Sequence, residues 1–130
     1  MENLRRRGIL IELKKSVDGS LKLFKRKIDS VYLFGSFANG KFNNLSDVDV
    51  CFFGEYSWED KIKIISLFDE IFDVSFFQDL PIWIRIRVFR EGKRIYTKGV
   101  KKEYAYLFST IREYEDFLPI IKNRMVRYGN

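Results

Sequence analysis

Two short β-prone runs, Val31–Phe34 and Asp47–Phe53, stand between segments of helical periodicity, and that order constrains the fold more than any other feature of the chain. Both runs are shorter than an ordinary helix, and the polar, turn-rich stretch GKFNNLSD separates them. Upstream, Leu10, Leu13, Val17, Leu21, Phe24 and Ile28 are spaced 3, 4, 4, 3 and 4 apart, an amphipathic helical stripe that Asp18-Gly19-Ser20 is expected to bend or break. Downstream, Ser57 and Asp60 make a capping-box-like helix start, with an expected apolar face of Trp58, Ile62, Ile65, Phe68 and Phe72. Residues 73–77, DVSFF, read as a third strand. After Pro81, IWIRIRVF fits a strand or a short helix with basic residues on one side, and its pattern does not choose between them. Glu91-Gly92-Lys93 marks a turn, RIYT a short edge strand, and Lys102–Arg127 a long helical pattern. The expectation is an α/β (α+β) fold, a small sheet backed by helices with a long C-terminal helix, in a single domain spanning residues 1–130. That length fits one core.

Composition restricts the chemistry. The chain has no histidine and one cysteine, Cys51, so Ser-His-Asp catalysis and a His- or multi-Cys zinc site are excluded. Catalysis would have to rest on carboxylates, lysines, hydroxyls and a hard, oxygen-liking metal. A single thiol forms no internal disulfide, which makes a cytoplasmic setting the default expectation. No apolar run reaches the length that spans a bilayer, and Glu12, Lys14 and Lys15 interrupt the only leader-like stretch, so neither a membrane span nor a signal peptide is expected. The net charge of +6 suits polyanionic partners such as nucleotides or nucleic acid.

The densest chemistry lies in GSFANGKFNNLSDVDV, residues 35–50. Gly35 lets the backbone come close to a ligand at the end of an apolar strand, and the Ser36 N–H and hydroxyl can face an anion there. Gly40 is a second permissive point, and Lys41 supplies charge nearby. Ten residues separate Ser36 from Asp47. Asp47 and Asp49 stand at i and i+2 on the second strand, so both carboxylates project from one face while Val48, Val50 and Phe52 enter the core from the other. Adjacent carboxylates on a strand repel, and aspartate is a poor strand former. A divalent cation turns that repulsion into attraction, and two Mg²⁺ ions could clamp a phosphoryl group. If the third strand pairs beside the second, Asp73 completes a three-carboxylate site that holds the second metal and orients or deprotonates an attacking hydroxyl. Asp79, in the loop-like QDLP, is the fallback third carboxylate.

The run G-S, ten residues, then D-x-D resembles the signature of the DNA polymerase β nucleotidyltransferase superfamily. The wording GSFANG…SDVDV is most similar to the minimal nucleotidyltransferases, the MNT half of HEPN–MNT toxin–antitoxin pairs. Asp73, FREGKRIYTKG and the final helix with EYEDFLP fall where that family has similar features, so the resemblance covers most of the chain. It implies a mixed sheet with flanking helices, metal binding by Asp47, Asp49 and Asp73, and phosphate contact at Gly35-Ser36. It also implies Mg²⁺ and a nucleoside triphosphate, with AMP from ATP passed to a tyrosine of a HEPN toxin partner. Members often carry arginines at the third and fifth positions of the GSxAxG turn, where this chain has Phe37 and Asn39.

Plainer readings stand beside these. Gly35-Ser36 alone is an ordinary strand-to-helix turn, the aspartates alone a solvated edge, and Cys51 a core thiol. The basic run Arg85, Arg87, Arg90, Lys93, Arg94, Lys98, Lys101 and Lys102 is either a solvated face or a nucleic-acid surface. A non-catalytic antitoxin that acts by contact and a nucleic-acid-binding module are therefore the alternatives to an enzyme. Along the last helix, Tyr104, Leu107, Ile111, Tyr114, Leu118, Ile121 and Met125 form a heptad-like seam with Phe108 and Phe117 outside it, and Pro119 is expected to kink the helix. The extra apolar side predicts a surface for self-association or for a partner.

Overall fold

The computed structural model describes residues 2–41 and 47–128, with side chains over 3–41 and 47–120. Most of the polar GKFNNLSD loop, and the Ile121 and Met125 side chains of the C-terminal seam, lie outside the described residues. In chain order the elements are α1 (Glu2–Phe24), β1 (Ile28–Phe34), α2 (Gly35–Ala38), β2 (Val48–Gly54), α3 (Trp58–Ser66), β3 (Phe72–Phe76), a 3₁₀ turn (Phe77–Asp79), α4 (Ile82–Glu91), β4 (Lys93–Thr97) and α5 (Val100–Tyr128). The four strands form one mixed sheet in the order β3-β2-β1-β4. β1 is antiparallel to both β2 and β4, and β2 is parallel to β3 across the α3 connection.

Both faces of β1 and β2 are apolar, so both must be covered. On one side Val31, Leu33, Val48, Val50 and Phe52 pack with Ile9, Leu13 and Val17 of α1 and Ile64 of α3. On the other, Tyr32, Phe34, Cys51 and Phe53 pack with Phe77 and with Val88, Ile84 and Phe89 of α4 and Tyr106 of α5. This second layer settles the ambiguous IWIRIRVF segment as helix. Its Val88 is fully buried on the sheet, and the Arg85, Ile84 and Gly92 N–H groups bond locally to Pro81 and Val88 carbonyls rather than to a strand. α5 is tied down by a buried polar knot, in which Glu103 accepts from Ser30, Tyr32 and both arms of Arg94.

Three helical expectations need correction. α1 runs unbroken through Asp18-Gly19-Ser20, where the Ser20 hydroxyl, facing inward, donates to the Ser16 carbonyl at 2.9 Å. Its buried stripe is Ile9, Leu13, Val17 and Ser20, while Leu10 is exposed and Ile28 opens β1. On α3 only part of the expected apolar face is used: Trp58 is 74% exposed and Ile62 and Ile65 are about half exposed, while Phe68 and Phe72, beyond the helix, pack with the core, and Ile64 is the buried apolar residue of the helix itself. The capping box sets that rotation. Asp60 N donates to the Ser57 hydroxyl, Asp60 Oδ2 accepts from Ser57 N, and Lys27 reaches the same oxygen, so the Asp60–Ile64 side faces the protein. Ser57→Ala is therefore expected to cost about 1 kcal/mol, read from urea unfolding, because it removes one half of the box.

α5 continues through Pro119. Among its described side chains, Glu103 and Thr110 are buried, whereas Tyr104, Phe108, Ile111, Tyr114 and Phe117 are exposed. The helix thus meets the sheet along Glu103, Tyr106 and Thr110, and much of the seam expected from the sequence faces outward. A cleft of about 680 Å³ opens between α4 and α5, lined by Trp83, Ile86, Phe89, Leu107, Ile111 and Tyr114. Among the described residues no helix is long and apolar enough to cross a membrane.

Candidate active site

The site is built where β1 stops. The chain turns at Gly35 with φ +78°, a left-handed conformation that costs glycine little and other residues more. A Cβ at Gly35 would lie 2.1 Å from Asp49 Oδ2. The missing side chain is thus the space the Asp49 carboxylate occupies, and the backbone of the turn lies directly on that carboxylate. Gly35–Ala38 then forms the single turn α2, with Asn39 N and Lys41 N donating to the Gly35 and Ser36 carbonyls at 3.2 and 2.9 Å. No side chain caps the start of α2. Phe37 and Ala38 are buried, which leaves Ser36 half-buried at the surface of the turn. Gly40, at φ +74°, faces open space, and Lys41 is exposed.

Asp47 immediately precedes β2 and is exposed. Asp49, half-buried on β2, is paired with Phe34 on one side and with Asp73 on the other. It shares a face with Cys51 and Phe53, so it sits at the rim of the layer covered by α4. Asp73 is exposed near the start of β3. The parallel β2–β3 pairing that the three-carboxylate idea required is therefore present, and it brings Asp73 beside Asp49. Burial, then the charges of Asp73 and Asp47, push the Asp49 carboxyl up to about 6, and a hydrogen bond from protonated Asp49 to Asp73 adds to the rise. Among the described residues no three His, Cys, Asp or Glu side chains come together closely enough to hold a metal ion by themselves. An open, mutually repelling set of carboxylates is instead suited to a cation that takes its remaining ligands from water and phosphate.

Asp79 is not part of this group. It follows the far end of β3 and is held by Lys61 at 2.8 Å. Cys51 is fully buried, and burial pushes its thiol well above the reactive range, which supports the packing reading. The basic run is dispersed over α4, β4 and α5. Arg85 pairs with Glu113 and Arg94 with Glu103, while Lys98 and Lys102 approach Asp29. Arg87 pairs with Glu91 on its own helix at 3.4 Å; its positive charge also opposes the rise at Asp49, and α4, which carries it, packs on α2 and β1. The sequence reading placed Arg87 only in a surface run. Nothing in local spacing links residue 87 to residue 49; the link exists once α4 covers the second face of the sheet.

Comparison with known proteins places the fold in a family. A family model described as polymerase beta, nucleotidyltransferase, matches residues 21–101, which include β1, the Gly35 turn, β2, α3 and β3. A chain from Methanocaldococcus jannaschii described as "Putative protein adenylyltransferase" is 26% identical over 86 residues, 65% of this chain and 70% of that one. A crystal structure of a toxin–antitoxin with AMP-PNP contains a chain that superposes with a TM-score of 0.63 at 22% identity, over 85% of this chain and 96% of that one. A structure of tri-AMPylated Shewanella oneidensis HEPN toxin with MNT antitoxin matches with a TM-score of 0.55 at 20% identity, over 96% of this chain and 99% of that one. At these identities the structural likenesses are likenesses of fold.

Proposed function

This chain belongs to the polymerase beta nucleotidyltransferase family, and from that premise we propose that it transfers AMP from ATP, with Mg²⁺, to a hydroxyl of a partner protein, acting as an antitoxin that modifies a HEPN toxin tyrosine. The observation that carries the reading is the contact between the glycine turn and the carboxylates: Gly35 lies on Asp49, and Asp49 pairs with Asp73. A pure binding protein gains nothing from repelling carboxylates beside an uncapped turn. The partner assignment takes its support from the names of similar proteins, one called an adenylyltransferase and another an antitoxin solved with an AMPylated HEPN toxin.

In this reading the Gly35-Ser36 backbone and the Ser36 hydroxyl bind the phosphates, and Lys41 and Arg87 offset their charge. Asp47, Asp49 and Asp73 are the donor set for Mg²⁺, which when bound neutralises the phosphates and polarises the reacting phosphorus. Asp73, the exposed member of the strand pair, orients the acceptor hydroxyl and takes its proton. The hydroxyl oxygen bonds to the α-phosphorus as the bond to pyrophosphate breaks.

The test is calorimetry with ATP. Binding is expected in Mg²⁺ and at least about tenfold weaker in EDTA, because phosphate and carboxylate charges repel without a cation. Equal affinity in both buffers would overturn the metal-bridged site. Transfer of labelled AMP to a HEPN partner then tests the acceptor.

A further inference from the structure

α2 is a single four-residue turn, too short to be stable through its own hydrogen bonds. Something outside it must hold the conformation that presents Ser36. Burial of Phe37 and Ala38 in the core supplies part of that support, and α1 adds a polar contact to it. Arg6 lies one turn before Ile9 on the buried stripe Ile9, Leu13 and Val17, at a position where that stripe would otherwise continue apolar. Its Nη1 donates to the Phe37 carbonyl at 2.8 Å. The same guanidinium lies over the Phe37 ring, 4.2 Å from the centroid, and that ring is fully buried. One side chain thus grips both the backbone and the side chain of a single α2 residue. A planar guanidinium can donate to a carbonyl while stacking on a ring; an ammonium cannot match both contacts.

We propose that Arg6 is a positioning residue for nucleotide binding: it clamps α2 through Phe37 and so fixes the Gly35-Ser36 phosphate turn. It acts through the turn, not by touching substrate. The inference rests on the reading of Gly35-Ser36 as the phosphate-binding turn.

The test uses the full chain with Arg6→Ala, Arg6→Lys and Arg6→Met; the last keeps an apolar stem should alanine fail to fold. Hydrogen exchange without nucleotide reads the clamp alone. The Asn39, Gly40 and Lys41 amides, which close α2, are expected to exchange about tenfold faster in the alanine and methionine variants, with β1 and β2 amides unchanged. Mg-ATP affinity, by calorimetry, is expected to fall by a similar factor of about ten. Lysine should restore neither property. Millimolar methylguanidinium should recover part of the affinity of the alanine variant, which a general loss of stability would not allow. Unchanged exchange in a folded variant overturns the clamp. Faster exchange with unchanged Mg-ATP affinity overturns its role in nucleotide binding. If the wild-type chain itself fails to bind Mg-ATP, the phosphate-turn reading and the nucleotide role fall together, and the exchange data still judge the contact.

Discussion

Asp49→Asn is expected to lower nucleotidyl transfer about 10³-fold or more while the melting temperature stays equal or rises. The two effects have one cause. Asp49 is half-buried beside two other carboxylates, and these surroundings oppose its charge. An amide of the same shape relieves that opposition, so the apo fold loses nothing. The same amide removes a negative oxygen from the donor set, and a cation that neutralises phosphates in the transfer step is worth several kcal/mol. Asp47→Asn should behave alike in transfer, since it completes the pair, with a smaller effect on stability because Asp47 is exposed. Asp73→Asn separates the roles: Mg-ATP binding should persist while transfer is lost, as expected of the group that receives the acceptor's proton. The measurements are label transfer to the partner, calorimetry and thermal melts on the same preparations. Near-normal transfer by Asp49→Asn, or a sharp fall in its melting temperature, would mean that the carboxylate serves the fold and not the reaction.

Gly35→Ala is the second large effect. The alanine must adopt φ +78° and place its methyl group 2.1 Å from Asp49 Oδ2. The backbone conformation alone costs about 1 kcal/mol. The overlap cannot be absorbed in place, so either the turn lifts from the sheet or the Asp49 side chain leaves its rotamer. Either movement separates the phosphate turn from the carboxylates. Transfer is expected to drop into the range of Asp49→Asn, with stability lowered by about 1–3 kcal/mol. Gly40→Ala shares the positive φ but meets open space, so its stability cost should stay near about 1 kcal/mol. Urea unfolding of both variants separates the two contributions. Equal costs at the two glycines would show that Gly35 is needed for its backbone angle alone and that Asp49 moves aside freely.

Much of the site could be read along the chain because its signals are local. An apolar run ending at a glycine, a fixed interval, then aspartates at i and i+2 carries its meaning within residues 31–50. The alternation rule is enough to separate Asp49 from Val48 and Val50, and the structure keeps that separation, with both valines fully buried. The edge strand after Gly92 and the capping box at Ser57 and Asp60 were equally local and equally legible. Helix faces were harder. Trp58, Ile62 and Ile65 make as good an apolar stripe as the one actually used, and the capping box together with the tie from Asp60 to Lys27 sets the side that turns Ile64 inward. The stripe on α1 slipped for a related reason: the inward positions include Ser20, which pattern reading discounts as polar.

By itself, then, the sequence determined the strand and turn that hold Gly35 and Ser36, the spacing of aspartates 47 and 49, and, by the lack of histidine, the exclusion of histidine-based chemistry. The tertiary structure decided what those groups meet. Parallel pairing of β2 with β3 brought Asp73, and not Asp79, beside Asp49, since Asp79 lies in the turn past the far end of β3. The second apolar face of the sheet made IWIRIRVF a helix and carried Arg87 toward the site. The packing of α1 brought Arg6 onto Phe37, 31 positions away in the chain. Period and propensity act over a turn or a strand, and they set which groups are near in sequence; burial of two sheet faces at once set which distant groups became neighbours.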